Sequence, residues 1–317
     1  MKKLWIKKLL TVLIQIFIVI TIAFFLVRIM PGDPALLVLG TDKASNPEAI
    51  DQIHKDLGLD NPPFQQYIIY LKDILNLDFG NSFANNIEVT DLLKETFPKT
   101  LELALVAMLI GSFLGIVFGI ISAVKRGGII DKIVSIIATI GISFPVFITG
   151  TFFIIIFSFK INILPSSGYT EFLKDPVNHV TRLILPAITL AFALSAPVAR
   201  MMRSSMLEVL NKDFVQTLKA KGLNKKTIIF KHTLRNAIIS VVTVIGLELG
   251  NLIGGSVILE YLYNWPGINS LLVESIEGRD FPVIQGSIIV IASFYIIVNL
   301  IVELIYGLID PRTRLSK

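Results

Sequence analysis

Two carboxylates, Glu248 and Glu303, lie inside long apolar stretches of this sequence. An ionisable group surrounded by lipid is costly, so each carboxylate is a candidate functional residue. Glu248 lies between Gly246 and Gly250, next to a packed helix seam or a cavity. There it could line a pathway and meet a cationic substrate group, or it could form a structural hydrogen bond between helices. Glu303 lies near the end of its stretch, where the structural role is favoured.

Glycines recur at a spacing of four residues in two of the apolar stretches. This spacing places each set on one helix face, where two helix backbones can approach closely. Helix packing is the favoured interpretation, and a pathway or a sliding contact is the alternative. The sets are Gly111, Gly115 and Gly119, then Gly246, Gly250 and Gly254, the second extended by Asn251 and Gly255.

Other residues that do chemistry are absent or scattered. The sequence has no cysteine, which excludes disulfides, thiolate metal sites and cysteine nucleophiles. The three histidines, His54, His179 and His232, are far apart, and none has a partner at metal-ligand spacing. No nucleophile with a base is visible, and no G-x-x-x-x-G-K-S/T phosphate loop occurs. The sequence therefore predicts a chain that is not an enzyme and binds no metal or cofactor itself.

The elements that must position these residues are membrane helices. Of the 317 residues, 53% are hydrophobic and 17% charged, and the mean hydropathy is +0.73. A soluble domain needs more polar surface than this composition leaves. The net charge of +5 comes mainly from segments that flank apolar runs, so nucleic-acid binding is rejected. Six spans are predicted, at Leu9–Met30, Leu101–Val124, Ile133–Phe157, Leu183–Met201, Ala237–Leu259 and Gln285–Ile309.

Basic residues between the spans predict the orientation. They concentrate in Lys125–Lys132, in 202–236 and in the C-terminal tail, whereas the intervening segments carry few. Both termini are therefore expected to be cytoplasmic. The first span follows lysines as a secretory signal does, but its length favours an uncleaved helix. Three regions result: 1–30 with the first span, 31–100 outside, and a core at 101–317 that contains a cytoplasmic loop at 203–236.

The segment 31–100 is too long for a plain connector, so structure is predicted in it. It is acidic, with eleven Asp or Glu against five Lys. Short helices are predicted at Pro47–Leu57 and Pro62–Leu75. The segment could be a cap packed on the helix bundle, a docking surface for an external partner, or both. The apolar positions of the second helix, at helical spacing, are Tyr67, Tyr70, Leu71, Ile74 and Leu75.

The loop 203–236 predicts two helices. Ser205–Lys221 has helical composition, Gly222 ends it, and Asn224 can cap a second helix at Lys225–Arg235. Such a loop could lie on the membrane surface, pack on the bundle, or insert into a groove of a partner protein. The first helix carries an apolar stripe flanked by lysines: Phe214, Val215 and Leu218, with Lys212, Lys219 and Lys221.

Short runs spread in order over nearly the whole chain carry a resemblance. The run 213–223 (DFVQTLKAKGL) with 232–237 (HTLRNA) resembles the "EAA" loop of permeases of binding-protein-dependent ABC importers. The chain is most similar to the first permease type of the dipeptide/oligopeptide/nickel family. Gln216-Thr217-Leu218 replaces Glu-Ala-Ala, while Gly222 is kept; Asn269 replaces a usual glycine. Other matching runs are PGDPA (31–35), LGLD (57–60), DFGNS (78–82), TLEL (100–103), ILPSSGY (163–169), WPG (265–267), RDFPVIQG (279–286) and DPR (310–312).

The resemblance implies an all-α integral membrane protein with the six-span type I ABC importer fold and an extracellular helical insertion, in the plasma membrane of a prokaryote. It implies that the loop 203–236 is a coupling element that docks into a cytoplasmic ATPase, which favours the partner-groove interpretation. The coupling residues would be Phe214, Val215, Gln216, Thr217, Leu218, Ala220, Gly222, Leu223, His232, Leu234 and Arg235.

The same resemblance implies the partners. These are a second homologous permease in a heterodimer, two ATPase subunits that hold ATP and Mg, and an extracellular solute-binding protein. Peptides, nickel or metal chelates would cross between the two permeases. The alternative is an ion-coupled secondary carrier, which needs ionisable groups near the membrane midplane and usually an inverted repeat. One such carboxylate and no clear repeat are visible.

Overall fold

A computed structural model describes residues 2–29 and 60–309, apart from the side chains of 2–5, 27 and 306–309. The predicted helix Pro47–Leu57 and the basic C-terminal tail lie outside the described residues. The described part is helical except for turns, loops and one isolated antiparallel bridge between Asn81 and Glu88. The helices are α1 (Lys2–Ile29), α2 (Pro63–Leu75), α3 (Val89–Val124), α4 (Ile129–Ser143), α5 (Val146–Phe153), α6 (Pro176–Leu210), α7 (Asp213–Ala220), α8 (Lys225–Thr227), α9 (Leu234–Gly255), α10 (Val257–Leu262), α11 (Ile268–Gly278) and α12 (Phe281–Ile309).

Two π-helical turns occur as well, Ile154–Lys160 after α5 and Ile228–Thr233 between α8 and α9. Within the described residues, five helical stretches are long and apolar enough to cross a membrane, and the pair α4 and α5 can form a sixth span. The all-α membrane fold with up to six spans is thereby confirmed. The five stretches are Ile6–Leu26, Val89–Val124, Pro176–Leu210, Lys225–Gly255 and Phe281–Ile305.

The third predicted span, Ile133–Phe157, is wrong as a straight helix. Its two halves are bent by 110° at the break after Ser143. Pro145 lies at this break and has no backbone N–H to donate, and a proline ring also clashes with the preceding helical turn. Pro186 and Pro197, by contrast, lie within the continuous helix α6.

The chain divides into two units. Unit 1 comprises Met1–Thr100 and Pro266–Ile296, and its α2 packs on α1, as the cap alternative expected. The Phe24 ring lies 5.0 Å from Tyr67 and 5.3 Å from Tyr70, centroid to centroid. Burial raises the pKa of the Tyr70 phenol. Thr21 and Tyr67 share a hydrogen bond of 2.7 Å, so part of the predicted cap packs on the first span.

A second contact in unit 1 joins two of the short runs identified in the sequence. The carboxylate of Asp280, just before α12, accepts hydrogen bonds from the Ser82 hydroxyl and from the backbone N–H of Phe83 at 3.1 Å. Asp280 is buried, and so is Ser82. These hydrogen bonds hold the runs at 78–82 and 279–286 together in the folded chain.

Unit 2 comprises Leu101–Trp265 and Ile297–Lys317, and α6 runs through its interior. α6 contacts α4, α5 and α9. Tyr263, after α10, is buried, and its hydroxyl lies 2.9 Å from the Thr189 hydroxyl of α6 and donates to the Gly150 carbonyl of α5 at 3.1 Å. Burial raises the pKa of Tyr263 to about 12, so its hydroxyl stays protonated as a donor.

Candidate coupling loop and membrane-embedded residues

The loop between α6 and α9 consists of α7, a turn at Gly222, the short α8 and a π-helical turn. The predicted single helix Ser205–Lys221 is wrong at its middle, because α6 ends at Leu210 and α7 begins at Asp213. The break is at Lys212, whose backbone is extended at φ −75° and ψ 148°. Asp213 then occupies the first turn of α7, where the helix dipole favours a carboxylate.

The turn after α7 has the predicted form. Gly222 has a φ of +76°, a left-handed conformation that glycine adopts at little cost. The Gly222 N–H donates to Lys219 O at 2.9 Å, and Leu223 N–H donates to Leu218 O at 3.2 Å. These bonds cap the last carbonyls of α7. Asn224 then caps α8, with its side chain accepting from Thr227 N–H at 2.7 Å.

The apolar residues of α7 differ in burial: some are covered by the rest of the chain, and others are exposed at the surface. Val215 is fully buried in the chain, and Leu218 is partly buried. Phe214 remains 39% exposed. Val215 therefore anchors α7 to its own chain, whereas Phe214 remains accessible at the surface.

A second exposed aromatic side chain, Phe230, lies in the same loop and was not among the residues singled out from the sequence. It is 59% exposed, whereas its neighbours Ile228 and Ile229 are buried. All three lie in the π-helical turn, whose wider period shifts side chains relative to an α-helix. A run of three apolar residues at Ile228–Phe230 was the available signal, but α-helical spacing could not show which of them faces outward.

The remaining predicted coupling residues are mostly at the surface. We name Phe214, Phe230 and the exposed lysines Lys219, Lys221, Lys225, Lys226 and Lys231 the loop surface. Exposed beside them are Gln216, Thr217, Ala220, Gly222 and Arg235, and partly buried are Leu223, His232 and Leu234. The loop surface combines two aromatic side chains with a positive rim.

The first glycine set packs directly on α6. A Cβ added at Gly115 would lie 2.6 Å from Val198 Cβ, and one at Gly119 would lie 2.5 Å from Met202 Cβ. A Cβ at Gly111 would lie 2.7 Å from Ala191 O. Distances this short are not tolerated by real side chains, so the absence of side chains lets α3 and α6 approach.

The second set does not form one seam. A Cβ at Gly246 would lie 2.5 Å from Val302 Cγ2 of α12, and Gly250 is buried. Gly254 and Gly255 have open space where a Cβ would be. Packing within the chain therefore accounts for Gly246, whereas Gly254 faces open space.

Glu248 lies on α9 between Gly246, which packs on Val302, and Gly254, which faces open space. Glu248 is partly buried, and Asn251, one turn further, is exposed and donates its amide N–H to Glu248 Oε2 at 3.5 Å. Glu303 of α12 is exposed in the chain. An exposed amide and a half-exposed carboxylate within a span favour contact with water or protein over contact with lipid.

Trp265, in the WPG run identified in the sequence, lies in the interior of unit 2. It is 1% exposed and packs edge-on against Tyr169, with centroids 4.9 Å apart. The same cluster contains His179, whose Nε2 lies 2.8 Å from Glu102 Oε1 and whose Nδ1 donates to Thr170 O at 2.6 Å. Partners so distant along the chain leave no local signal in the sequence.

Comparisons with known proteins identify the class. Residues 115–315 match the family described as "Binding-protein-dependent transport system inner membrane component". Residues 1–104 match a second family, described as the N-terminal part of the membrane component of a binding-protein-dependent transport system. In fold, the chain is similar to a chain of the inward-facing MetNI methionine ABC transporter, with a TM-score of 0.58 and 19% identity over 69% of this chain and 96% of that one.

Curated relatives extend the match to nearly full length. The dipeptide transport system permease DppB of Escherichia coli strain K12 is 38% identical over 96% of both chains. The glutathione transport system permease GsiC of Shigella flexneri is 39% identical, and the di/tripeptide permease DppB of Pseudomonas aeruginosa 38%, each over 98% of both chains. The chain therefore belongs to the binding-protein-dependent transport family and is a multi-pass inner-membrane permease subunit of an ABC importer. Such permeases work with an ATPase, a binding protein and a partner permease.

Proposed function

We propose that this chain forms half of the translocation path of an importer for short peptides. The observation that carries the proposal is the full-length identity of 38–39% to permeases named for dipeptides, di/tripeptides and glutathione. Glutathione is itself a tripeptide, so these names share one substrate class. They favour peptides over nickel and metal chelates, which the sequence resemblance left open.

The loop surface is proposed to dock on the ATPase. Phe214 and Phe230 supply exposed apolar area that a groove on a partner would bury. The surrounding lysines favour an acidic rim on that partner, where charges affect encounter more than affinity. In this proposal ATP and Mg are bound by two ATPase subunits, and the chain itself carries out no covalent chemistry.

The proposed orientation places the loop surface and both termini in the cytoplasm and the segment 31–100 outside. The support is the concentration of basic residues in 125–132 and 202–236. The sequence has no cysteine, so single cysteines at Asn81 and Asn224 are clean reporters. We expect an impermeant thiol reagent added to intact cells to label the cysteine at Asn81 and leave the one at Asn224 unlabelled. Labelling of both from outside contradicts the orientation.

The path itself is proposed to run between this chain and a second, homologous permease. On α9 the exposed residues include Asn251 and Gly254, with Glu248 beside them. Small and polar groups on an open face of a span suit a partner helix and a hydrated path better than lipid. In this proposal Glu248 meets the positively charged amino terminus of a passing peptide.

The test of the function is ATP-driven uptake of labelled dipeptides in proteoliposomes that contain the purified complex and its binding protein. We expect uptake to need ATP, the ATPase subunits and the binding protein, and unlabelled di- and tripeptides to compete. Uptake that follows an ion gradient without an ATPase would instead support the secondary carrier. ATP-driven uptake of nickel with no competition by peptides would overturn the substrate class.

The coupling loop is tested in the same system. We expect Phe214→Asp and Phe230→Asp to place a charge against an apolar groove, so that the ATPase no longer co-purifies or no longer drives uptake. Gly222→Val should act similarly, because a β-branched residue is strained at a φ of +76°. The matched control is Leu173→Asp, which changes a side chain 94% exposed outside the loop and should leave ATPase co-purification unchanged. Full co-purification and full ATP-driven uptake in all three loop variants would show that this loop is not the coupling element.

A further inference from the structure

A buried carboxylate in unit 2 joins three helices near the end of α6 that leads into the coupling loop. Asp131, in the first turn of α4, is 5% exposed. Its Oδ1 accepts from Arg203 Nε of α6 at 2.8 Å, and its Oδ2 accepts from Arg203 Nη2 at 2.9 Å. The Ser122 hydroxyl of α3 donates to Oδ1, and the Gly127 N–H of the α3–α4 turn donates to Oδ2 at 2.8 Å.

This arrangement is more specific than an ordinary surface ion pair. A guanidinium that binds a carboxylate through two parallel N–H donors fixes orientation as well as distance. Both carboxylate oxygens are fully used, by donors from α3, the α3–α4 turn and α6. A relative displacement of any one of these elements would break at least one charge-assisted hydrogen bond.

The Asp131–Arg203 pair lies near the end of α6 that connects to α7. Arg203 lies two turns before α6 ends at Leu210, and α7 begins at Asp213. The last glycine of the α3–α6 contact, Gly119, lies at the same level, against Met202. The ion pair therefore closes the α3–α6 seam at the end where the loop surface is attached.

We propose that the Asp131–Arg203 pair is the positioning element that makes α3, α4 and α6 respond as one body to movement of α7. The inference rests on the proposed docking of the loop surface on an ATPase. Without the pair, displacement of α7 would be absorbed by bending at the end of α6. ATP would still be hydrolysed, but less of each cycle would reach the transport path.

The test measures dipeptide uptake per ATP hydrolysed in proteoliposomes with the complete complex and binding protein. Asp131→Asn removes the charge with little change in shape, and Arg203→Lys keeps the charge but loses the bidentate geometry. For Asp131→Asn we expect uptake per ATP to fall about five- to tenfold or more, within the range of typical coupling between sites. Arg203→Lys should give a smaller loss.

The matched control lies on the same helix. Glu208 forms an exposed ion pair with Lys212 at 3.2 Å, and Glu208→Gln should leave uptake per ATP at the wild-type value. A merely structural role would lower the amount of assembled complex without changing uptake per ATP in the complexes that form, and that result overturns the inference. Wild-type uptake per ATP in Asp131→Asn also overturns it.

Two further outcomes are distinguishable. If Asp131→Asn yields no assembled complex, Arg203→Lys decides, because a reduced ratio supports the inference and a wild-type ratio overturns it. If the unmodified complex shows no ATP-driven uptake at all, the proposed function fails first. A wild-type complex that couples normally, combined with an unaffected Asp131→Asn, leaves the function intact and removes only this role of the pair.

Discussion

The glycine sets of α3 and α9 share one spacing but have different structural meanings. On α3, Gly111, Gly115 and Gly119 all lie against the backbone or Cβ atoms of α6. On α9, the atoms nearest to a Cβ added at Gly246 belong to the Val302 side chain, and a Cβ at Gly254 would lie in open space among the described residues. The difference lies in the facing surface. Small residues on α6 repeat at the same spacing as the α3 glycines, at Ala191, Ser195 and Ala199.

Glycine spacing alone therefore does not predict a close helix contact within a chain. Two backbones approach when both faces are small and in register. Gly246 of α9 faces the branched side chain of Val302 and not a small residue, and Gly254 and Gly255 face open space among the described residues. An open glycine face in a membrane span suits a contact with another subunit or with the transported molecule.

The largest effect is expected from Gly115→Ala in α3. The added methyl group would lie 2.6 Å from Val198 Cβ and 2.8 Å from Ser195 O, atoms that cannot move without moving α6. Overpacking of this kind typically costs about 1–3 kcal/mol. We expect a lower melting temperature and a lower yield of purified complex. An unchanged melting curve would show that the α3–α6 seam tolerates separation, and that the two glycine sets do not differ in how tightly they pack.

A smaller and different effect is expected from Gly254→Ala, the same substitution in the other set. Apart from its own helix neighbours, no atom of the described residues lies within 4 Å of the added methyl group, and alanine favours a helix over glycine by up to about 1 kcal/mol. The isolated chain should therefore keep or slightly raise its melting temperature, and Gly254→Leu should do so too.

The distinguishing measurement for Gly254 is made on the assembled importer. If the open face of α9 contacts a second permease or the path, Gly254→Leu should reduce subunit association or uptake while the chain stays folded. Wild-type association and uptake together would indicate that this face meets only lipid. Destabilisation of the isolated chain would instead indicate an internal contact, and would erase the contrast with α3.

Features that depend on interactions between residues close in sequence were predicted, whereas features that depend on distant residues were not. The centres of the spans, the α2 helix and the turn at Gly222 depend on local periodicity and local backbone geometry, and they were predicted. Which proline bends a helix was not, because Pro145 breaks one whereas Pro186 lies inside α6. Neighbouring helices that satisfy freed carbonyls decide that outcome, and the sequence does not show them.

The residues missed at the candidate site depend on long-range partners. Asp131 and Arg203 are 72 positions apart, so the basic residue counted for orientation gave no sign of its ion pair. The exposure of Phe230 depends on the π-helical turn, and the burial of Val215 depends on the face that α7 turns toward its own chain. The family resemblance supplied the location of the loop but not the orientation of its side chains.

The smallest structural effect, and the sharpest test of the open face of α9, is expected from Glu248→Gln. The amide has nearly the same shape as the carboxylate, and Asn251 can still hydrogen-bond to its oxygen, so the melting temperature and yield should not change. A pathway carboxylate that meets a peptide amino terminus should lose affinity when it becomes neutral, which predicts a higher half-saturating peptide concentration for uptake. Asn251→Ala removes the neighbouring amide and keeps the charge of Glu248, so it should raise the half-saturating peptide concentration less than Glu248→Gln does. A peptide whose amino terminus is acetylated lacks the positive charge, so its residual uptake should be the same in wild-type and Glu248→Gln complexes. Identical kinetics for free and acetylated peptides in both complexes would remove Glu248 from the path and leave its hydrogen bond with Asn251 as its role.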